Sequence, residues 1–221
     1  MKDAFVPNTP IICLISDGLI TTENYDSKSL ELISLIRSAV SAKIELVQIR
    51  EKTLPAGLLF DLVSRALQET RNSITKILVN ERLDIALAAG ADGVHLTSKS
   101  MPVSEIRNIC PSDFVIGRSA HSLAEAMSAA QSGANFVLLG PVFATPSKAR
   151  FGEALGLGVI RRVCEELPGF PVLALGGIGL DNYNQVLECG ARGFGAIRFL
   201  SDPNRLRSIA EQVNLSPKNN L

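Results

Sequence analysis

Short apolar runs rich in Val, Ile and Leu alternate along the chain with longer segments in which apolar residues recur at helical spacing. Uniformly apolar runs are typical of parallel strands covered on both faces, and the longer segments are typical of amphipathic crossover helices. This pattern predicts strands at residues 11–16, 44–49, 76–80, 93–96, 114–118, 136–139, 172–175 and 195–199. It predicts helices at residues 29–40, 56–70, 82–89, 103–109, 123–132, 158–167, 181–189 and 204–213.

The eight strand–helix units follow one another without a linker or a break in composition. Units of roughly 27 residues fit a (β/α)₈ barrel, a fold that runs from about 200 residues upward. We therefore predict an α/β protein with a single (β/α)8 TIM barrel domain over residues 1–221, with flexible ends at 1–9 and 215–221. The alternative is a doubly wound open sheet, which needs a switch point and usually has fewer strands.

Composition narrows the range of partners. The 221 residues include 22 basic and 22 acidic side chains, so no net charge attracts nucleic acid or anionic lipid. No apolar run approaches the roughly 20 residues that span a bilayer, and the stretch at 11–15 is too short for a secretory signal. We expect a cytoplasmic protein that acts on a small molecule, not on nucleic acid or membrane. A homo-oligomer stays open, because outward helix faces and dimer faces share one amphipathic pattern.

The second predicted strand carries the clearest candidate site. In a (β/α)₈ barrel the active site lies at the carboxyl ends of the strands. Alternation places Gln48, Arg50 and Lys52 on one face of this strand. If that face points into the barrel, an amide and two cations gather at its mouth. The alternative is a solvated strand end at which Arg50 pairs loosely with Glu51.

The chain has two histidines, and each closes a predicted strand. His121 shares a face with Ser119, and an imidazole beside a hydroxyl can exchange protons near neutral pH. His95 ends the fourth strand, and its position fits a structural, hydrogen-bonded role at least as well as a catalytic one. The sequence therefore offers His121 as the candidate acid or base.

Three later loops offer groups that bind anions. The loop after the sixth strand combines hydroxyls with an ammonium, which predicts either a lid or an ordinary surface loop. The loops after the seventh and eighth strands form the usual phosphate site of this fold. The candidates are Thr145, Ser147 and Lys148 in the first loop, then Gly176 and Gly177, then Ile197 and Arg198.

Five ordered motifs, spread from the second strand to the eighth, together resemble the thiamine phosphate synthase and TenI superfamily. They are Gln48-x-Arg50-x-Lys52, the segment 80–87, the segment 90–96, the segment 140–148 and the segment 175–178. The resemblance implies a (β/α)₈ barrel of thiamine biosynthesis. Its synthases join a pyrimidine pyrophosphate to a thiazole phosphate with magnesium, and its TenI branch is a thiazole tautomerase.

The resemblance also implies which residues contact the ligand. Those lining the site would be Gln48, Arg50, Lys52, Asn80, Ser119, Thr145, Ser147 and Lys148. The thiazole phosphate would be held by the backbone at Gly176, Gly177, Ile197 and Arg198.

Two positions depart from the synthase pattern. Synthases typically end the third strand in Asn-Asp and carry another aspartate after the fourth, and both hold the metal. Here the third strand ends Asn80-Glu81, and residues 97–100 read Thr-Ser-Lys-Ser. Because Mg²⁺ requires oxygen ligands in near-octahedral geometry, this change weakens the synthase interpretation. Glu81 is the metal ligand expected if the chain is a synthase.

The fifth strand resembles the tautomerase branch, whose histidine at the position of His121 is the proposed proton carrier. We therefore expect an isomerase, a thiazole tautomerase that aromatises the thiazole carboxylate phosphate by proton transfer and needs no metal or other cofactor. Two alternatives stay open. One is a thiamine phosphate synthase, a transferase that uses Mg²⁺, and the other is a barrel that binds thiazole or thiamine phosphate without turnover.

Overall fold

The computed structural model describes residues 9–144 and 154–215. Within these ranges the strands form a closed parallel barrel in chain order, β1 to β8, with β8 paired to β1. The strands are β1 (Ile11–Ile15), β2 (Leu46–Ile49), β3 (Lys76–Asn80), β4 (Gly93–Leu96), β5 (Val115–Ala120), β6 (Phe136–Leu139), β7 (Val172–Leu175) and β8 (Gly193–Ala196). The prediction of a (β/α)₈ barrel is confirmed, and the open sheet is excluded.

A helix follows every strand. These helices are α1 (Tyr25–Ser41), α2 (Ala56–Thr70), α3 (Leu83–Ala89), α4 (Val103–Ile109), α5 (Leu123–Gln131), α6 (Gly156–Glu166), α7 (Tyr183–Glu188) and α8 (Leu206–Leu215). In the described part of the chain no helix is both long and apolar enough to cross a bilayer. The flexible ends predicted at 1–9 and 215–221 lie almost entirely outside the described residues.

Several elements differ from their predicted bounds by one to four residues, and for two of them the reason is identifiable. The last strand begins two residues early, at Gly193, because that glycine lies directly against β1. A Cβ there would come within 1.9 Å of the Ile11 carbonyl oxygen, so the close approach requires glycine. The first helix begins at Tyr25, whose hydroxyl donates to Asp61 Oδ2 at 2.7 Å and anchors the start of α1 on α2.

The barrel interior and the helix layer form separate apolar clusters, as the alternation of each strand requires. The interior cluster consists of Ile11, Cys13, Ile15, Leu46, Leu78, Val115, Phe136, Leu138 and Leu173. Leu46 and Leu78 are therefore inward, and so are Gln48 and Asn80, two residues further along the same strands. The inward face of β2 predicted from the sequence is thus the face that lines the mouth.

Gly117 makes room for two rings in the upper interior. A Cβ at this position would lie 2.3 Å from Cζ of Phe136 and 2.7 Å from Nδ1 of His95. The two rings pack with centroids 6.0 Å apart and leave no space for a methyl group. The absence of a side chain on β5 therefore determines where His95 lies.

Replacing Gly117 by alanine should lower the free energy of unfolding by about 1–3 kcal/mol, because the new methyl group overpacks a closed layer. Gly57→Ala is the matched control, since nothing lies within 4 Å of a Cβ added at that site in α2. Urea unfolding followed by circular dichroism measures both variants. We expect the Gly117→Ala midpoint to fall and the Gly57→Ala midpoint to hold or rise. Equal midpoints would contradict the packing constraint.

Candidate active site

The loop after β1 is closed by the buried carboxylate of Glu51. Its Oε1 accepts from the Ser16 hydroxyl at 2.6 Å and from Gly18 N at 3.2 Å, and its Oε2 accepts from Ile20 N at 3.0 Å. Ser16 Oγ in turn accepts from the backbone N of Arg50 at 2.8 Å. Glu51 therefore holds the end of β2 against the end of β1, and the loose Arg50–Glu51 pair considered from the sequence does not form.

The Arg50 side chain is left available at the mouth. Its Nη1 lies beside Gly18, where φ is +80° and an added Cβ would approach within 3.2 Å. Its guanidinium makes no ion pair or hydrogen bond with any residue in the described ranges. An unpaired guanidinium at a barrel mouth is suited to bind a phosphate or carboxylate through two parallel hydrogen bonds.

A chain of amides runs from the barrel interior to the rim. Gln48 Nε2 donates to Asn80 Oδ1 at 2.9 Å, and Asn80 Nδ2 donates to Glu81 Oε2 at 3.1 Å. Gln48 and Asn80 are buried, and Gln48 Oε1 has no hydrogen-bond partner in the described structure. A buried acceptor without a partner is costly, so a ligand that donates a hydrogen bond would be favoured there.

Glu81 presents the acidic group of the mouth. Its Oε1 accepts from the Thr97 hydroxyl at 2.5 Å, and its Oε2 lies 3.3 Å from Lys52 Nζ. Burial alone would raise the pKa of this carboxyl, but the Thr97 hydroxyl, Lys52 and Asn80 together hold it below its usual range. The carboxylate is therefore ionised and held in place by three donors.

Arg82 does not compete for this carboxylate. Its guanidinium pairs with Asp84 through two hydrogen bonds, of 2.9 Å from Nε and 2.6 Å from Nη2. Glu81 adopts a left-handed backbone conformation, with φ of 61°, which is uncommon for a residue other than glycine. Such conformations concentrate at functional sites, and here the strained turn directs the carboxylate into the mouth.

His95 lies in the interior as a neutral, structural histidine. Its Nε2 is 2.9 Å from the Ser119 hydroxyl, and Nδ1 has no partner within the described residues. Burial lowers the pKa of His95 to about 3, and the positive charges of Arg118 and Arg50 add to the effect. The hydroxyl of Ser119 is thereby held by His95 and not by His121.

His121 lies exposed just beyond the end of β5. Its Nδ1 is hydrogen-bonded to the Gly140 carbonyl oxygen at 2.5 Å, and its backbone N donates to Glu125 Oε2 at 2.8 Å. Glu125 N donates to the Ser122 hydroxyl, which caps α5. The side chain is thus fixed at one nitrogen, and the predicted contact with Ser119 is absent.

The glycine turn after β7 is locked to the loop after β6. Gly176 and Gly177 have φ of +100° and +68°. Gly176 O accepts from Phe143 N at 3.1 Å, and Gly177 O accepts from Asn182 Nδ2 at 2.9 Å. The N–H of Gly177 has no backbone partner within the described residues. The carbonyls of this turn are therefore satisfied and an amide is left for an anion.

A cleft of about 340 Å³ opens between β1, α1 and the segment that follows β8. Ile15, Ser16, Glu51 and Ile197 contribute to its walls. The neighbouring Arg198 begins a short 3₁₀ turn, Arg198–Leu200, and is exposed. Ile197 therefore lines this cleft, and its contact with a phosphate stays a prediction. The three candidates of the β6 loop, Thr145, Ser147 and Lys148, lie outside the described residues.

The oxygen atoms of Glu81 and Thr97 are the type of ligand that suits a hard cation. The group consists of a carboxylate and a hydroxyl, and Mg²⁺ is commonly held by one or two carboxylates together with substrate phosphates. Over residues 9–144 and 154–215, no cluster of three or more His, Cys, Asp or Glu side chains could hold a metal ion. The mouth thus fits Mg²⁺ only as an ion shared between one protein carboxylate and a phosphorylated ligand.

The closed barrel and its polar carboxyl-end mouth place this chain among the (β/α)₈ barrels that act on small molecules. The family model described as thiamine monophosphate synthase matches residues 18–200, and the chain belongs to that family. The thiamine-phosphate synthase of Methanocella arvoryzae is 35% identical over 207 residues, which is 90% of this chain and 97% of the relative. That of Methanoculleus marisnigri is 36% identical over 181 residues, 82% of this chain and 85% of the relative.

A solved structure gives the same result. The thiamine phosphate pyrophosphorylase from Pyrococcus furiosus superposes with a TM-score of 0.75 at 30% identity, covering 93% of this chain and 98% of its own. These comparisons contradict the expected thiazole tautomerase and the isomerase class, because the similar proteins are named as synthases and a pyrophosphorylase. The proton-carrying role predicted for His121 in tautomerisation falls with that expectation.

The buried neutral His95 should make the protein less stable in mild acid. The unfolded chain binds a proton at this imidazole near pH 6.5, whereas the folded pKa is about 3. Because the folded pKa is depressed, stability is lost as the pH falls below the unfolded value. Between pH 7 and pH 5 this group should lower the free energy of unfolding by about 2 kcal/mol.

Replacing His95 by glutamine removes the titrating group and should flatten that pH dependence. His121→Gln changes the exposed histidine and should leave it intact. Urea unfolding at several pH values between 5 and 7 measures how steeply the free energy of unfolding changes with pH in each protein. A His95→Gln slope as steep as that of the unmodified protein would refute the assignment.

Proposed function

We propose that this protein is a thiamine-phosphate synthase, a transferase that joins a pyrimidine diphosphate to a thiazole phosphate and releases pyrophosphate. The observation that carries the proposal is the unpaired guanidinium of Arg50 beside Lys52, at the mouth of a barrel whose relatives carry that name. Two cations at one mouth, Arg50 beside Gly18 and Lys52 beside Glu81, suit a leaving group that gains negative charge as it departs.

The proposed reaction breaks the bond between the pyrimidine methylene carbon and the diphosphate oxygen. The thiazole nitrogen supplies the electron pair of the new carbon–nitrogen bond, and pyrophosphate leaves with the electrons of the old one. Neither step requires a proton to be removed from the ring, so the mouth needs no general base. Arg50 and Lys52 would stabilise the charge that accumulates on the pyrophosphate oxygens.

Magnesium, when bound with the diphosphate, would supply further neutralisation of the leaving group. Glu81 is the residue that would hold it, because Glu81 is ionised and faces the mouth. The Thr97 hydroxyl orients Glu81 through its short hydrogen bond, and the Asn80 amide fixes the other carboxylate oxygen. This chain thus positions one carboxylate with two neutral donors.

The remaining predicted residues divide between the two substrates. Gln48 and Ser119 lie toward the barrel interior, where the unpaired Gln48 Oε1 favours a ring that carries an amino donor. The turn at Gly176 and Gly177 and the segment at Ile197 and Arg198 would hold the thiazole phosphate through backbone amides. Thr145, Ser147 and Lys148 stay predicted ligand contacts, because the loop that carries them lies outside the described residues.

Purified protein incubated with the pyrimidine diphosphate, the thiazole phosphate and Mg²⁺ should release pyrophosphate only when both substrates are present. Arg50→Ala and Lys52→Ala should each lower kcat/KM by about 100-fold, because each removes one charged donor from the leaving group. Lys76→Gln is the control, since Lys76 starts β3 at the opposite end of the barrel and should leave the rate unchanged. A colorimetric assay of released pyrophosphate follows the reaction.

Absence of pyrophosphate release at high enzyme concentration would overturn the proposal. Calorimetric binding of both phosphorylated ligands without turnover would instead identify a binding-only barrel. Loss of activity in Lys76→Gln equal to that in Arg50→Ala would show that the effect is global and not at the mouth.

A further inference from the structure

The carboxylate of Glu81 is nearly saturated before any ligand arrives. Oε2 accepts from Asn80 Nδ2 at 3.1 Å and faces Lys52 Nζ at 3.3 Å, while Oε1 accepts from Thr97 at 2.5 Å. An ionised carboxylate has about four acceptor positions, so a single position is left, on Oε1. Lys52 thus covers the oxygen that a metal ion would need for a second bond to this group.

The charge around this carboxylate also disfavours a free cation. Lys52 balances the charge of Glu81, and Arg50 and Arg118 both lie close enough to His95 to lower its pKa. Within the described residues no group of three or more His, Cys, Asp or Glu side chains could hold a metal ion. A free Mg²⁺ ion would therefore meet, at Glu81, a carboxylate whose charge Lys52 already balances.

The lysine is free to leave this pair. The Lys52 side chain is 47% exposed and that of Glu81 is 29% exposed, and a half-exposed ion pair contributes little to folding. The ammonium is a compact charge on a flexible four-carbon stem, so it can turn from one anion to another without moving the backbone. A diphosphate offers it several oxygens with more negative charge than one carboxylate.

Resting on the proposed function, we propose that Lys52 is an internal counter-ion of Glu81, which the diphosphate draws away so that Mg²⁺ binds with or after the diphosphate and not before it. Diphosphate binding removes the competing ammonium and adds phosphate oxygens, and both changes favour the metal. The coupling is reciprocal, so Mg²⁺ that binds Glu81 also releases Lys52 toward the diphosphate.

Manganese binding to the full-length protein tests this coupling without an activity measurement. Mn²⁺ is titrated by electron paramagnetic resonance, with and without inorganic pyrophosphate, at buffered free Mn²⁺ concentrations. The unmodified protein should bind Mn²⁺ weakly alone and more tightly with pyrophosphate. Lys52→Gln should bind Mn²⁺ alone about fivefold more tightly, which is the effect of removing one partially exposed ion pair. Its further gain from pyrophosphate should be smaller.

Lys99→Gln is the matched control. It removes an equal charge from the loop that follows β4, where Lys99 is exposed and forms no ion pair with Glu81. Its Mn²⁺ affinity should stay within twofold of the unmodified protein. Adding Glu81→Gln to Lys52→Gln should abolish the gain, which locates the metal on Glu81. Circular dichroism checks that each variant is folded.

An unchanged or weaker Mn²⁺ affinity in Lys52→Gln would overturn the inference, as would a gain of equal size in Lys99→Gln or one that survives Glu81→Gln. These outcomes are separable from the proposed function. If pyrophosphate release occurs but the manganese affinities fail, the counter-ion role alone is wrong. If the affinities behave as expected but both substrates give no pyrophosphate, the coupling holds and the synthase assignment falls.

Discussion

The hydrogen bonds of the Asn80 side chain are the contacts on which the mouth of this barrel depends. The amide accepts from Gln48 and donates to Glu81, so it links the interior of the barrel to the acidic group at its rim. A carboxylate in its place could not donate, and an apolar side chain would leave Gln48 without its partner. Asn80 is buried, and the adjacent strand holds His95 in register with it. The same amide therefore links Gln48 in the interior to Glu81 at the rim and fixes one oxygen of that carboxylate.

Much of the fold could be predicted because its signals are local and periodic. Uniformly apolar strands, amphipathic helices and glycine helix ends all act within a few residues, and eight repeats leave few topologies. The inward face of β2 also followed from alternation. The bounds of β8 did not, because its glycines reflect the approach of β1, from the other end of the chain.

The contacts that shape the site could not be predicted from the sequence, for a related reason. Ser16 with Glu51, Glu81 with Thr97 and His95 with Ser119 each join the ends of neighbouring strands, 16 to 35 residues apart in sequence. Such pairs exist only once the barrel has closed. The left-handed conformation at Glu81 is equally invisible in the sequence, because glutamate has no preference for it.

The expected thiazole tautomerase was wrong because two local departures from the synthase pattern were given more weight than similarity over most of the chain. The lengthened carboxylate and the missing second acid weakened the interpretation as a magnesium-dependent synthase. Thr97 and Asn80 hold Glu81 in an oriented, ionised state, so one carboxylate is presented where the synthase pattern has two. A metal that shares its coordination with substrate phosphates needs few protein ligands.

The balance of charge in the mouth follows from the same arrangement. Because Lys52 balances Glu81 while the guanidinium of Arg50 has no partner within the described residues, this side of the mouth is electrically suited to an anion and unsuited to a lone cation. A multiply charged phosphate reverses that balance when it arrives, because it brings more negative charge than the two side chains neutralise. A site with two acids would attract metal ions from solution by itself, whereas the proposed coupling makes metal affinity here depend on the bound diphosphate. Under that proposal, the missing second acid changes the order of binding events without requiring a change in the chemistry that follows.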